Sequence, residues 1–169
     1  MENKNINNFL KWFFLMCFLF FLIFNFLTKK NIDKPNLATS IENLNSIKYV
    51  KIAGITLKTE LVSTPEAQEK GLSGRKELKQ NESMLFVFNH ADKYSFWMKD
   101  MNFPIDIIWI TGEDLRDLRV VYIKKSALPE SYPEAFTPNQ DAKYVLEVFS
   151  SFSEKNNLKV GDKVEFLSS

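Results

Sequence analysis

The sequence predicts a mostly β domain, an antiparallel β-sandwich or barrel with one or two short helices, preceded by one N-terminal transmembrane helix. Three observations support this prediction. Short runs rich in Val, Ile and aromatic residues recur between residues 47 and 167, separated by turn residues. A helix signal with clear start and stop residues interrupts them. An almost wholly apolar segment lies ahead of them, near the N-terminus.

The N-terminal segment has the length and composition of a membrane span. Residues 12–27 are apolar except for Asn25 and hold seven of the 16 Phe residues. The full run, residues 9–27, is long enough to cross a hydrocarbon core of about 30 Å as a helix. Because no small-residue cleavage pattern follows it, we expect residues 1–28 to remain as a signal anchor in a membrane.

A polar segment separates this anchor from the folded domain. Residues 29–46 are rich in Asn, Ser and Lys and lack sustained periodicity, which is typical of a flexible linker. The β domain is then expected to span residues 47–169, which is enough chain to bury its own core. Lysines flank the apolar segment on both sides, so the positive-inside rule does not decide the membrane orientation.

The strands of the domain are predicted from residue alternation and from β-branched and aromatic content. The predicted strands are residues 48–52, 55–62, 84–88, 94–99, 105–110, 118–123, 142–149 and 163–167. Residues 111–114, which include Gly112, are predicted to form a hairpin turn. Residues 126–140 contain three prolines, which predicts an extended loop.

Two helices are predicted within the domain. The first has three position-specific signals, because Thr64 suits an N-cap, Pro65 suits the first helical position and Gly71 is a natural stop. A second short helix is predicted at residues 151–157, ahead of the last strand. Both helices are short, so the strands are expected to supply most of the core.

The composition argues against several classes of function. The net charge is +1 and no basic patch stands out, so we expect no binding to nucleic acid. The single cysteine, Cys17, lies in the apolar segment, and the single histidine, His90, lies in a predicted turn. We therefore expect neither a metal site nor a cofactor. The sequence has no nucleophile-elbow motif, no phosphate-binding glycine loop and no H-E-x-x-H motif.

Five residues are candidates for ligand binding, because charged side chains and an aromatic ring that gather in one place often form a site. They are Arg75, Trp97, Lys99, Asp106 and Glu147. The strand around Asp106 is otherwise apolar on both faces. We therefore expect its carboxyl group to be buried and paired with a cation or with backbone N–H groups. The alternative interpretation is that these charges form structural ion pairs or face water.

A close approach of Lys99 and Asp106 is predicted from the short link between them. Residues 100–104 would join two antiparallel strands and place Asp106 diagonal to Lys99 and beside Trp97. Arg75, from a loop, and Glu147, from a third strand, would complete a shallow polar and aromatic cleft. Equally, Lys99 and Asp106 could form a purely structural pair beneath aromatic side chains.

Several motifs, taken in order, resemble the DUF192 family over residues 48–167. The residues that carry the resemblance are 60–66, 70–75, 84–88, 96–99, 104–108, 142–148 and 158–164. The resemblance implies a compact β-sandwich-like domain that is often exported or membrane-anchored, and it implies no settled activity. On this basis we expect the domain to lie outside the cytoplasm, in the periplasm or the extracellular space.

The sequence departs from the family pattern at two places. Ser73 stands where the family usually has Met, and Asp100–Met101 stands where the family has a small or polar pair. Ser73 weakens any role for an apolar side chain at that position. Asp100 adds a carboxylate beside Lys99 that could neutralise it.

Three functions are open at this point. The first is an anchored binding module for a small envelope ligand, a glycan or a peptide. The second is an acid–base enzyme that uses Asp106, Glu147 or Lys99. The third is a structural partner in a membrane complex. A shared cleft for the charged candidates favours the first two, whereas an exposed patch at Trp97 or Tyr132 favours the third.

Overall fold

The computed structural model describes residues 46–168, together with Met16 and Leu44. The strands and helices, in chain order, are β1 (Ile47–Ile52), β2 (Ile55–Val62), α1 (Pro65–Lys70), β3 (Glu82–Asp92), β4 (Phe96–Trp97), β5 (Ile105–Thr111), β6 (Leu118–Ala127), a 3-10 helix (Pro129–Ser131), β7 (Ala135–Phe136), β8 (Ala142–Phe149), α2 (Phe152–Lys155) and β9 (Lys163–Ser168). All of them lie in the compact unit Ala38–Ser169.

Seven of these strands close into a barrel with the order β1-β2-β3-β8-β5-β6-β9. The prediction of a mostly β, barrel-like domain with short helices is therefore confirmed. The expectation of purely antiparallel strands needs one correction, because β2 and β3 pair in parallel. A parallel pair needs a crossover connection, and α1 lies within it.

β4 and β7 form a separate two-stranded sheet. The predicted antiparallel pair of residues 94–99 with residues 105–110 is therefore wrong. The physical reason is that β5 has no free edge, since β6 pairs with one side of it and β8 with the other. The residues between β4 and β5 instead approach the loop after α1, where the Gly74 N–H donates to the Asp100 carbonyl at 2.8 Å.

Alternation along the strands produces two apolar clusters. One cluster fills the barrel and includes Leu85, Ile108 and Leu146 from three neighbouring strands. The second lies on the opposite face of the same strands, where Phe86 and Ile107 pack with apolar side chains from the connecting segments. Since successive side chains of a strand point to opposite faces, these central strands are apolar on both sides.

The predicted membrane anchor, residues 1–28, lies outside the described residues except for Met16. Within the described part of the chain, none of the helices combines the length and the apolar character needed to cross a bilayer. The fold described above is thus that of the β domain alone.

Candidate functional site

Asp106 is completely buried and is held by three backbone N–H groups. Its Oδ1 accepts from the N–H of Ser126 at 2.8 Å and from that of Ser151 at 3.1 Å, and its Oδ2 accepts from the N–H of Ser153 at 2.8 Å. The expectation of a buried carboxyl group paired with backbone N–H groups is confirmed. This arrangement joins β5 to the end of β6 and to the turn that begins α2, which gives Asp106 a structural role.

Asp106 does not reach the cleft that the sequence predicted for it. Asp106 faces Val148 across the β5–β8 pair, while the next residue, Ile107, faces Glu147. Alternation therefore directs Asp106 and Glu147 to opposite faces of the sheet. The proposed approach of Lys99 to Asp106 fails for the same reason as the predicted strand pair, because β4 is not a neighbour of β5.

Glu147 lies in the middle of β8 and is 5% exposed. Its cross-strand neighbours are apolar, Met84 on β3 and Ile107 on β5. Among the described residues, its Oε2 is buried without a hydrogen-bond partner. Burial raises the pKa of Glu147 to about 8, and the positive charge of Arg75 opposes this rise. A neutral carboxyl group is therefore the dominant form of Glu147 at neutral pH.

Glu147 lines a cavity of about 210 Å³ that opens beside α1. Five aromatic side chains form much of its wall: Phe86, Phe88, Tyr94, Phe96 and Trp97. Leu72 and Met101 also line it. We call this space the Glu147 cavity. It combines apolar walls with one buried ionisable group, which is the usual composition of a small-molecule site.

The aromatic wall is held together by ring contacts. Phe88 stacks on Tyr94 with 3.6 Å between ring centroids, and Phe96 meets Phe86 edge to face at 4.8 Å. The indole N–H of Trp109 donates to the Tyr94 carbonyl at 2.8 Å. These contacts fix residues 94–96 against the outer face of the barrel and so shape the cavity.

Helix α1 forms another side of the cavity, and its sequence explains its position. The Thr64 side chain accepts from the Ala67 N–H at 3.3 Å and caps the first turn. Gly71 ends the helix with a positive φ of 47°, and a Cβ there would lie 3.3 Å from the Phe86 ring. Gln68 donates to the Val87 carbonyl at 2.8 Å, which attaches the helix to β3.

Two further surface hollows adjoin the Glu147 cavity, and Lys70 and Ser73 line all three. Arg75 lines the second hollow, where its Nη2 contacts both carboxylate oxygens of Glu60 at 2.8 Å. Lys99 lines the third hollow. Arg75, Trp97, Lys99 and Glu147 thus lie around one end of α1. Of the three charged residues among them, only Glu147 lines the Glu147 cavity itself.

The loop after α1 and the segment after β4 are connected by hydrogen bonds. The Ser73 hydroxyl donates to the Lys99 carbonyl at 2.9 Å, and the Asn102 amide donates to the Arg75 carbonyl at 2.8 Å. With the bond between Gly74 and Asp100 described above, three contacts hold the two segments together. Ser73 therefore has a polar role in this chain.

Trp97 lines both the Glu147 cavity and the third hollow, and it is 52% exposed. Tyr132 is 45% exposed and meets Trp97 edge to face at a centroid distance of 6.2 Å. The two rings form an exposed aromatic pair at the rim of the cavity. An exposed patch at Trp97 or Tyr132 is the feature that favours a structural partner in a membrane complex.

Sequence reasoning missed most of the wall residues of the cavity, among them Gln68, Phe86, Phe88, Tyr94 and Phe96. The aromatic residues among them occur in predicted strands and resemble ordinary core residues. The available signal was the density of aromatic residues between positions 86 and 97, which exceeds what one buried face of a strand requires.

No cluster of three or more His, Cys, Asp or Glu side chains suited to a metal ion occurs within the described residues. The acidic groups near the site are separated. Glu60 pairs with Arg75, Glu69 is exposed on α1, Glu147 is buried in β8, and Asp106 lies on the other face of the sheet. The chemistry available at the cavity is therefore that of one buried carboxyl group, the exposed Glu69 and Lys70, and aromatic surfaces.

The comparisons with known proteins agree with this architecture. The family model of DUF192, an uncharacterised group, matches residues 48–166. A protein of unknown function from Novosphingobium aromaticivorans is 33% identical, with a TM-score of 0.64 over 70% of this chain and 84% of that one.

A second structure, of a candidate transcription regulator from Sinorhizobium meliloti, is 25% identical, with a TM-score of 0.62 over 70% of this chain and 90% of that one. A search of curated proteins finds no match. Because the family model covers most of the β domain, the chain belongs to the DUF192 family.

Proposed function

We propose that the β domain is a binding module for a small ligand that occupies the Glu147 cavity. The ligand places an apolar group among the aromatic rings and a polar group against Glu147. The observation that carries this proposal is the buried Oε2 of Glu147, which has no partner among the described residues. An unpaired buried polar group costs roughly 1–3 kcal/mol, and a ligand that bonds to it removes this cost.

The position of the carboxyl group supports a binding role over a purely structural one. A structural carboxyl group is satisfied by its own chain, as Asp106 is by three N–H groups. Glu147 instead faces a cavity of about 210 Å³ while its nearest cross-strand neighbours are apolar. Binding sites commonly pair one such group with apolar walls.

The domain layout is part of the proposal. Residues 9–27 anchor the chain in a membrane, residues 29–46 act as a flexible linker, and the β domain from residue 47 onward lies outside the cytoplasm. The apolar character of residues 12–27 supports the anchor. The ligand would then be a small molecule of the cell envelope, or part of a glycan or peptide.

Co-purification tests the binding proposal. The full-length chain is isolated from its native host without denaturation, and released small molecules are identified by mass spectrometry. We expect a compound that the wild type retains and that Glu147→Gln loses. Glu154→Gln, at an exposed position on α2, serves as the matched control and should retain the compound. Equal recovery from all three proteins would contradict the proposal.

An acid–base enzyme is the second candidate, and the raised pKa of Glu147 favours it. Asp106 cannot act as the second carboxyl group at this site because it lies on the other face of the sheet. The exposed Glu69 of α1 is the other carboxylate that lines the cavity with Glu147. Incubation of the recovered compound with the wild type separates the candidates, since an enzyme converts it to a product that Glu147→Gln does not form, whereas a binding module returns it unchanged.

A further inference from the structure

We propose that the ligand of the Glu147 cavity is a small organic cation, an ammonium group on an apolar body, with Glu147 as its counter-ion. This inference rests on the binding function proposed above and names the class of ligand. It follows from the buried carboxyl group that lines the cavity, the aromatic walls and the distribution of charge around them.

The carboxyl group is suited to an ammonium partner. Glu147 is 5% exposed, and its Oε2 has no donor within the described part of the chain. An ammonium group supplies three N–H donors and a full positive charge. Hydrogen bonds between an ammonium group and a carboxylate are shorter and stronger than those between neutral groups.

The walls suit the same partner. Phe86, Phe88 and Phe96 line the cavity together with Tyr94 and Trp97. Aromatic rings attract cations through the negative potential of their faces, and this attraction is stronger when water is excluded. The same rings pack against an apolar body, so one surface recognises both parts of the ligand.

The exposed charges around the cavity are balanced in sign, so the buried carboxyl group of Glu147 decides which charge the site favours. The Arg75 guanidinium lines the adjoining hollow and is engaged with Glu60. Glu69 and Lys70, on α1, line the cavity as exposed side chains of opposite sign. Glu147 can ionise to pair with a bound cation, whereas it offers no positive charge to a bound anion.

Cation binding should be coupled to release of a proton from Glu147. Below pH 8 the empty site holds a mostly neutral carboxyl group, and the ammonium ion favours the ionised form. The other titratable or charged groups that line the cavity and the adjoining Arg75 hollow are Glu60, Glu69, Lys70, Arg75 and Tyr94. Affinity for the cation should rise by up to about tenfold per pH unit between roughly pH 6 and pH 8.

Isothermal titration of the full-length chain with three probes of similar shape tests the inference. Phenethylamine is charged at neutral pH, phenethyl alcohol is neutral and hydrocinnamate is an anion. We expect phenethylammonium to bind the wild type about tenfold or more tightly than phenethyl alcohol does, and hydrocinnamate to bind most weakly. Glu147→Gln should abolish the preference for the cation, and Glu154→Gln should keep it.

A fourth probe distinguishes a free amine from a protein side chain. Nα-acetyl-lysine amide carries the same ammonium group on a peptide backbone, and we expect it to bind more weakly than phenethylammonium because it lacks the aromatic body. Tighter binding of the lysine derivative would overturn the assignment of a small free amine.

The result that overturns the cation claim leaves the binding function separately testable. If phenethyl alcohol binds as tightly as phenethylammonium and still depends on Glu147, the cation claim is wrong and the binding function stands. If none of the probes binds, the cation claim is also wrong, and the co-purification experiment alone decides the binding function.

Discussion

Asp106 and Glu147 project from opposite faces of one sheet, although they lie on adjacent strands and one step apart in register. Asp106 is satisfied by three N–H groups of its own chain. Glu147 lines a cavity on the other face, and its Oε2 has no hydrogen-bond partner in the described part of the chain. A carboxyl group thus has a structural role on one face and a candidate binding role on the other.

Replacement of Asp106 should destabilise the fold. Asp106→Ala leaves three N–H groups without their acceptor, that of Ser153 in a buried position and those of Ser126 and Ser151 in part-buried ones. We expect a loss of about 3–5 kcal/mol in the free energy of unfolding, measured by chemical denaturation. Asp141→Ala, at an exposed position, is the control and should change stability by less than about 0.5 kcal/mol. A comparably small loss for Asp106→Ala would show that these bonds do not hold the fold.

Glu147 should make the stability of the ligand-free protein fall as pH rises. Its pKa is about 8 in the folded state, against an ordinary value of 4.5, so the folded state binds the proton more tightly. Between these values the free energy of unfolding should fall by up to about 1.4 kcal/mol per pH unit. The decrease begins near pH 4.5 and ends near pH 8.

Glu147→Gln isolates this effect. Glutamine has the shape of the neutral carboxyl group and does not titrate, so the variant should fold and lack this contribution to the pH dependence. The measurement is the difference in unfolding free energy between the wild type and the variant at several pH values. A difference that stays constant from pH 5 to pH 8 would show that Glu147 ionises normally.

The N-terminal segment should remain on the mature protein. Residues 12–27 are followed by Thr28 and two lysines, and no small-residue cleavage pattern is present. Mass spectrometry of the membrane fraction should therefore give the mass of a chain that includes residues 1–28. A mature N-terminus after Thr28 would contradict the anchor.

The β domain should be accessible from outside the cell membrane. Asn89 is exposed on β3, so a cysteine there can react with a maleimide. Asn89→Cys in a Cys17→Ser background should be labelled in intact cells by an impermeant reagent that reaches the outer face of the membrane. Labelling that requires lysis would place the domain in the cytoplasm.

Strand positions and the caps of α1 could be predicted because they depend on local signals. The β8 strand, residues 142–149, was predicted with the bounds that the structure shows. The pairing of β4 depends on contacts distant in sequence. The short link between β4 and β5 suggests that β5 lies beside β4, but β7 is the strand that pairs there. A short link favours a hairpin only where the neighbouring strand has a free edge.

The candidate site was predicted in part. Alternation within β8 set Glu147 apart from an apolar row, but the relative register of β5 and β8 decides that Asp106 faces away from it. This register is set by the whole barrel and has no local signature. The aromatic wall was hidden because cavity residues and core residues have the same composition.

The most direct test of the central claim is a crystal structure of the protein purified from its native host. We predict non-protein electron density in the Glu147 cavity, with a donor atom at hydrogen-bond distance from Oε2 of Glu147 and an apolar part among the aromatic rings. A cavity that holds only water, with Glu147 hydrogen-bonded to that water, would contradict the claim.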